Sequence, residues 1–164
     1  MNQVNVKFAT DTAIEREKQR LLINQLLVKA GRYYDASCDT NSKNLRNAQS
    51  NREKAKTNIQ RILDIESEHA DALNLLGRIH LDEGELEQAA QCVDKALQLQ
   101  PNKAGYHYSR GHIYLAAQQY QQAEKCFQFA IKTAPAGTRS QSSLAYTKTK
   151  QGKYVVAFQE YREM

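Results

Sequence analysis

A chain of 164 residues, 41% apolar and 25% charged, has the size and makeup of one soluble globular domain. No apolar run approaches the ~18 residues a membrane helix needs. Met1–Thr10 carries one lysine and no apolar centre, which excludes a secretory signal and points to a cytoplasmic protein. The net charge of +5 is spread as +4 over 1–66, −4 over 67–103 and +5 over 104–164, a pattern best read as solvated helix faces.

Residues 1–10 lack periodicity and are expected to be flexible. Helical character begins at Asp11, where Thr12 followed by Glu15 makes a capping box. Leu21, Leu22, Ile23, Leu26, Leu27 and Ala30 then form an apolar face that Gly31 is expected to end. Residues 37–51 are rich in Ser, Asn, Asp and Lys, and read as a polar insertion containing a loop, with room for an early helical turn near Asn44. From Arg52 to Glu66 the chain is helical again, with Ala55, Ile59, Ile62 and Leu63 on one face.

The next 68 residues say nearly the same thing twice. Shifted by 34, Ala70–Lys103 falls on Ala104–Gly137, and nine positions match. They are Ala70/Ala104, Gly77/Gly111, Ile79/Ile113, Leu81/Leu115, Gln88/Gln122, Ala89/Ala123, Cys92/Cys126, Ala96/Ala130 and Pro101/Pro135. Other positions exchange one large apolar group for another, as in Leu86/Tyr120, Val93/Phe127 and Leu97/Ile131. Each match has a physical job. Gly77 and Gly111 let a neighbouring helix come close, at a cost of roughly 1 kcal/mol in helix propensity. Ala89 and Ala123 do the same on the second helix without that cost. Gly84 ends the first helix, and Pro101 and Pro135 end the second.

A third copy starts near Thr138, where Ala145, Gly152, Tyr154, Ala157 and Tyr161 continue the 34-residue spacing. The sequence given stops at Met164, before its second helix should close. We therefore expect a fragment of a longer protein, or self-association in which another molecule covers Val156, Phe158 and Tyr161.

A 34-residue unit of this kind resembles the tetratricopeptide repeat. The resemblance implies an all-α solenoid of antiparallel helix pairs in a right-handed superhelix, with about seven to eight helices. On that frame residues 11–68 are a degenerate first repeat stretched by the insertion, 70–103 and 104–137 are full repeats, and 138–164 is a partial one. First helices line the concave side. By resemblance that face carries Asp71, Asn74, Arg78 and Asp82, then Tyr108, His112 and Leu115, then Arg139, Ser142, Tyr146 and Lys150. Arg, Tyr, His and Lys together suit a protein or peptide with an acidic or carboxylate-bearing segment. The family's carboxylate clamp uses paired Lys/Arg and Asn at set places, where this chain has Asn74, Arg78 and Ser109.

No catalytic, cofactor or metal constellation is expected. There is no Gly-rich phosphate loop or nucleophile elbow. His107 and His112 stand about 140° apart on a helix, so they are poor joint ligands. His80 takes the place of Tyr114 and reads as a packing residue, and Glu83, Glu85 and Glu87 as solvated acids at a turn. Cys92 and Cys126 read as half-buried thiols in equivalent places. The reading is a non-enzymatic protein-interaction scaffold. The alternative is a docking region of a larger enzyme, such as a transferase, that continues beyond residue 164. Nucleic-acid binding ranks last, because acidic Glu68–Asp94 interrupts any basic path.

Overall fold

The computed structural model describes residues 3–38, 45–136 and 138–152, with side chains from residue 12 onward. These residues form seven helices and no strand: α1 (Gln3–Cys38), α2 (Leu45–Ile65), α3 (Ala70–Asp82), α4 (Leu86–Leu99), α5 (Ala104–Ala116), α6 (Tyr120–Thr133) and α7 (Thr138–Lys150). The architecture is all-α, built from helix pairs in the solenoid manner. The chain divides into two compact units, the first ending at Ala72 and the second beginning at Leu73.

In the first unit α1 packs on α2. The pair is antiparallel: Tyr33 lies under Lys54 Nζ at 5.7 Å, while Arg16–Asn24 flank Ile65 and Glu66. Ile23, Leu26, Ala30 and Tyr34 bury one stripe of α1 against Ala55, Ile59 and Ile62 of α2. Here two expectations are corrected and the reading of the polar insertion is refined. Residues 3–10 belong to α1. Gly31 does not end α1, which runs on to Cys38. Burial of Tyr34 (5% exposed) and Ser37 beyond it continues the packed face and offsets the glycine's propensity cost. The polar stretch 37–51 is helical at both ends, because Ala48, Arg52, Ala55 and Ile59 carry the stripe of α2 upstream at spacings of four and three. The loop expected within it falls on residues 39–44, outside the described residues.

The second unit is organised by close approaches between paired helices. A Cβ on Gly77 would stand 2.6 Å from Val93 Cγ2 and 3.0 Å from the Ala89 carbonyl oxygen. At the equivalent place in the next pair, a Cβ on Gly111 would meet the Phe127 ring at 2.6 to 2.8 Å. Ala89 and Ala123 are fully buried. Ala89, Val93 and Ile113 form a core that joins α4 to α5, with Leu81 and Leu97 packed against it. At its edge Arg110 Nε binds Asp94 Oδ1 at 2.9 Å and lies 4.3 Å from the Tyr114 ring. Thr147 is buried between α7 and its neighbours, its Oγ1 donating to the Ser143 carbonyl at 2.7 Å. Cys92 and Cys126 are free and half-buried, and burial raises both thiol pKa values, so they are inert packing groups.

The first helices of the repeats end alike. Gly84, Gln118 and Gly152, 34 residues apart, have φ of 81°, 59° and 76°. Gly84 N–H donates to Leu81 O and Glu85 N–H to His80 O, and Gln118 and Gln119 repeat both bonds to Leu115 O and Tyr114 O. This is the paired C-terminal capping motif that needs a left-handed residue. Pro101 and Pro135 follow α4 and α6 by two residues, as their missing N–H requires.

Candidate functional site

In the second unit α3, α5 and α7 each place one face on a shared cavity of about 390 Å³. Leu81 and Asp82 come from α3, His112, Leu115 and Ala116 from α5, Tyr120 from the start of α6, and Tyr146 and Lys150 from α7. The helical period explains the choice. Arg78 and Asp82 are four apart on α3, and Tyr146 and Lys150 four apart on α7, so each pair shares a face.

His112 is the hub. Its Nε2 lies 3.1 Å from Ser143 Oγ, which ties α5 to α7. Tyr108 meets its ring edge-on at 4.6 Å between centroids, and Phe127 at 5.2 Å. Burial lowers the His112 pKa, Arg78 lowers it further, and Asp82 partly opposes both. The imidazole is therefore neutral at pH 7 and serves as a hydrogen-bonding wall. The positive charge of the cavity comes from Lys150, whose Nζ lies 5.4 Å from the Tyr146 ring. A second concavity of about 530 Å³ shares Tyr120 and Lys150 and is rimmed by Gln118, Gln119, Gln121, Gln122 and Gln151. Among these, Gln151 Nε2 also donates to Glu124 Oε2 at 3.1 Å.

Of the residues assigned to the concave face, the cavity gathers Asp82, His112, Leu115, Tyr146 and Lys150, with Arg78 and Tyr108 set against His112. Asn74 stands one turn before Arg78, with its Oδ1 buried and without a hydrogen-bond partner. Arg139 and Ser142 are exposed on α7, at the i, i+3 and i+7 spacing that shares the face of Tyr146, but they do not line the cavity itself, and Ser142 Oγ donates to Thr138 O of its own helix. Asp71 belongs to the first unit. Ser109 is buried with its hydroxyl donating to Gly105 O at 3.1 Å, so it offers nothing to a ligand. Ser143 went unread in the sequence. Tyr120 matches Leu86 there as an apolar repeat position but, belonging to a second helix, is not assigned to the concave face.

Among the described residues, His80, Glu83 and Glu85 could hold a metal ion, with donor atoms within 4.8 Å of one another. His80 Nδ1 already bonds Glu85 Oε2 at 2.5 Å, across the turn between α3 and α4. This differs from the expected set of solvated acids, since the turn folds Glu85 back onto the imidazole. His107 points elsewhere: its Nε2 lies 2.7 Å from Pro101 O and its ring 4.0 Å from Phe129. Among the described residues no helix is long and apolar enough to cross a membrane.

Two family models match the chain, a TPR repeat over residues 77–118 and a tetratricopeptide repeat over 108–164, together covering more than half of it. The chain belongs to the tetratricopeptide repeat family. Solved structures agree. An O-GlcNAc transferase from Thermobaculum terrenum, in a mutant form, is 25% identical with a TM-score of 0.67, covering 79% of this chain. This chain spans only 22% of that enzyme. MamA from AMB-1 is 14% identical with a TM-score of 0.57, covering 90% of both chains. A tetratricopeptide repeat protein from Parabacteroides merdae is 20% identical with a TM-score of 0.58, covering 99% of this chain and 65% of its own. No curated protein matches. Residues 153–164, including Val156, Phe158 and Tyr161, fall inside the second family match but outside the described residues.

Proposed function

We propose that this tetratricopeptide repeat chain is a non-enzymatic scaffold that holds an extended peptide segment across α3, α5 and α7. The carrying observation is the composition of the cavity: apolar walls from Leu81, Leu115, Ala116 and Tyr120, with Lys150 as the cation and Asp82 and His112 as the other polar groups that line it. Such a site takes a segment that presents one large apolar side chain and, next to it, a carboxylate for Lys150. The glutamine rim offers both donors and acceptors, which suits the alternating N–H and C=O of an extended backbone. Family membership favours binding over catalysis, and a cytoplasmic location fits the sequence.

Selection from a random peptide library followed by fluorescence anisotropy tests this reading. Enriched peptides should pair an apolar residue with Asp, Glu or a free C-terminus. Lys150→Glu should weaken them at least tenfold, and Arg78→Glu should weaken them less. Selected peptides without acidic groups, or affinities indifferent to Lys150→Glu, would refute the groove assignment.

A second reading rests on the similarity to part of the Thermobaculum terrenum O-GlcNAc transferase. The repeats would then dock substrate for a catalytic region encoded beyond residue 164. A stop codon directly after Met164 removes that reading and leaves the first intact.

A further inference from the structure

The long helix α1 carries a second apolar stripe that none of the described residues covers. Ile14, Leu21 and Val28 are 53%, 53% and 54% exposed. They are spaced by seven residues, which brings a helix back to within about 20° of the same direction. Ile23, Leu26 and Ala30, which face α2, lie about 180° round the helix from them. Every described residue from 12 to 22 is exposed, so this part of α1 lacks the packing that holds the rest. A helix with two opposed apolar stripes has a use for two neighbours, and α2 supplies only one.

We propose that α1 pairs antiparallel with α1 of a second copy of this chain, with Leu21 at the dyad. Among antiparallel registers, this one alone pairs all three residues. Leu21 meets Leu21 of the second copy, and Ile14 and Val28 exchange places across the dyad, so all three aliphatic pairs form at once. The flanking groups also agree. Lys18 falls beside Gln25 of the second copy and Glu17 beside Asn24, so no like charges are opposed next to the stripe. A parallel pair would instead set Glu17 against Glu17 and Lys18 near Lys18, which is repulsive. A shallow concavity lined by Leu21, Asn24, Gln25, Val28, Lys29 and Arg32 gives the opposing side chains a place to sit. Three aliphatic layers make a weak dimer rather than an obligate one.

Sedimentation velocity over a concentration series tests this directly. The chain should pass from monomer to dimer, and Leu21→Glu should weaken association at least tenfold with helicity and melting unchanged, since Leu21 is not part of the core. In a Cys38→Ser background, oxidised Leu21→Cys should form a covalent dimer. Ile14→Cys alone should not, whereas an equimolar mixture of Ile14→Cys and Val28→Cys chains should. A monomer at every concentration, undiminished association in Leu21→Glu, or self-linking of Ile14→Cys as fast as Leu21→Cys would each overturn the proposal. The first outcome would leave the stripe to a helix of a different protein.

Discussion

Gly111 and Phe127 are fitted to each other so closely that a single added methyl would lie 2.6 Å from the ring. Phe127 is fully buried, so the ring has no open side to swing into. Gly111→Ala should therefore destabilise despite the gain of about 1 kcal/mol in helix propensity. Overpacking costs about 1–3 kcal/mol, and a 2.6 Å approach to a ring that cannot move puts this site at the upper end. The net loss is about 2 kcal/mol, read as a melting decrease of several degrees. Gly77→Ala should do likewise, because one of its obstacles is the Ala89 backbone carbonyl, which cannot rotate away. A melting temperature that rises in either variant would contradict the close packing of these pairs.

Gln118 holds the left-handed position that glycine fills at 84 and 152. A side chain there costs about 1–2 kcal/mol in backbone strain. Glycine removes the strain but adds entropy to the unfolded chain, so Gln118→Gly should stabilise by roughly 0.5–1 kcal/mol. Gly84→Gln should destabilise by a similar amount. Equilibrium urea unfolding of both variants checks the opposite signs.

The depressed pKa of His112 makes stability depend on pH. The unfolded chain takes up its proton near the ordinary value of about 6.5, while the folded chain resists until lower pH. Stability from this group is complete above pH 6.5 and is lost as pH falls through the window below it. The slope can reach about 1.4 kcal/mol per pH unit, one proton's worth. Around the ring, Arg78 and Asp82 of α3 and Ser143 of α7 face it. His112→Gln should flatten the profile relative to the native chain, a difference that isolates this histidine from the other three. Parallel profiles for the two proteins between pH 5 and 6.5 would show that His112 titrates normally.

Much of the second unit was legible because its packing is written in residue size. Gly77, Gly111, Ala89 and Ala123 are the smallest groups available at helix crossings, and their 34-residue recurrence announces paired helices before any coordinates. The left-handed ends were half legible: Gly84 declares itself, but Gln118 takes the same conformation without a local signal, held there by the helices on either side. In the groove, Asp82, His112, Tyr146 and Lys150 follow from helical register. Tyr120 does not, since it enters from a second helix whose angle is set by Phe127 against Gly111.

The sequence by itself determined an all-helical chain of 34-residue units, because small, large and helix-ending residues recur at offsets that only stacked pairs satisfy. Tertiary structure alone decided how far α1 runs. Gly31 has the propensity of a stop, yet burial of Tyr34 against α2 outweighs it and carries the helix to Cys38. It also decided that Ile14, Leu21 and Val28 lie outside the core. A sequence records which residues are apolar, but whether a stripe is covered depends on where a neighbouring helix begins and ends.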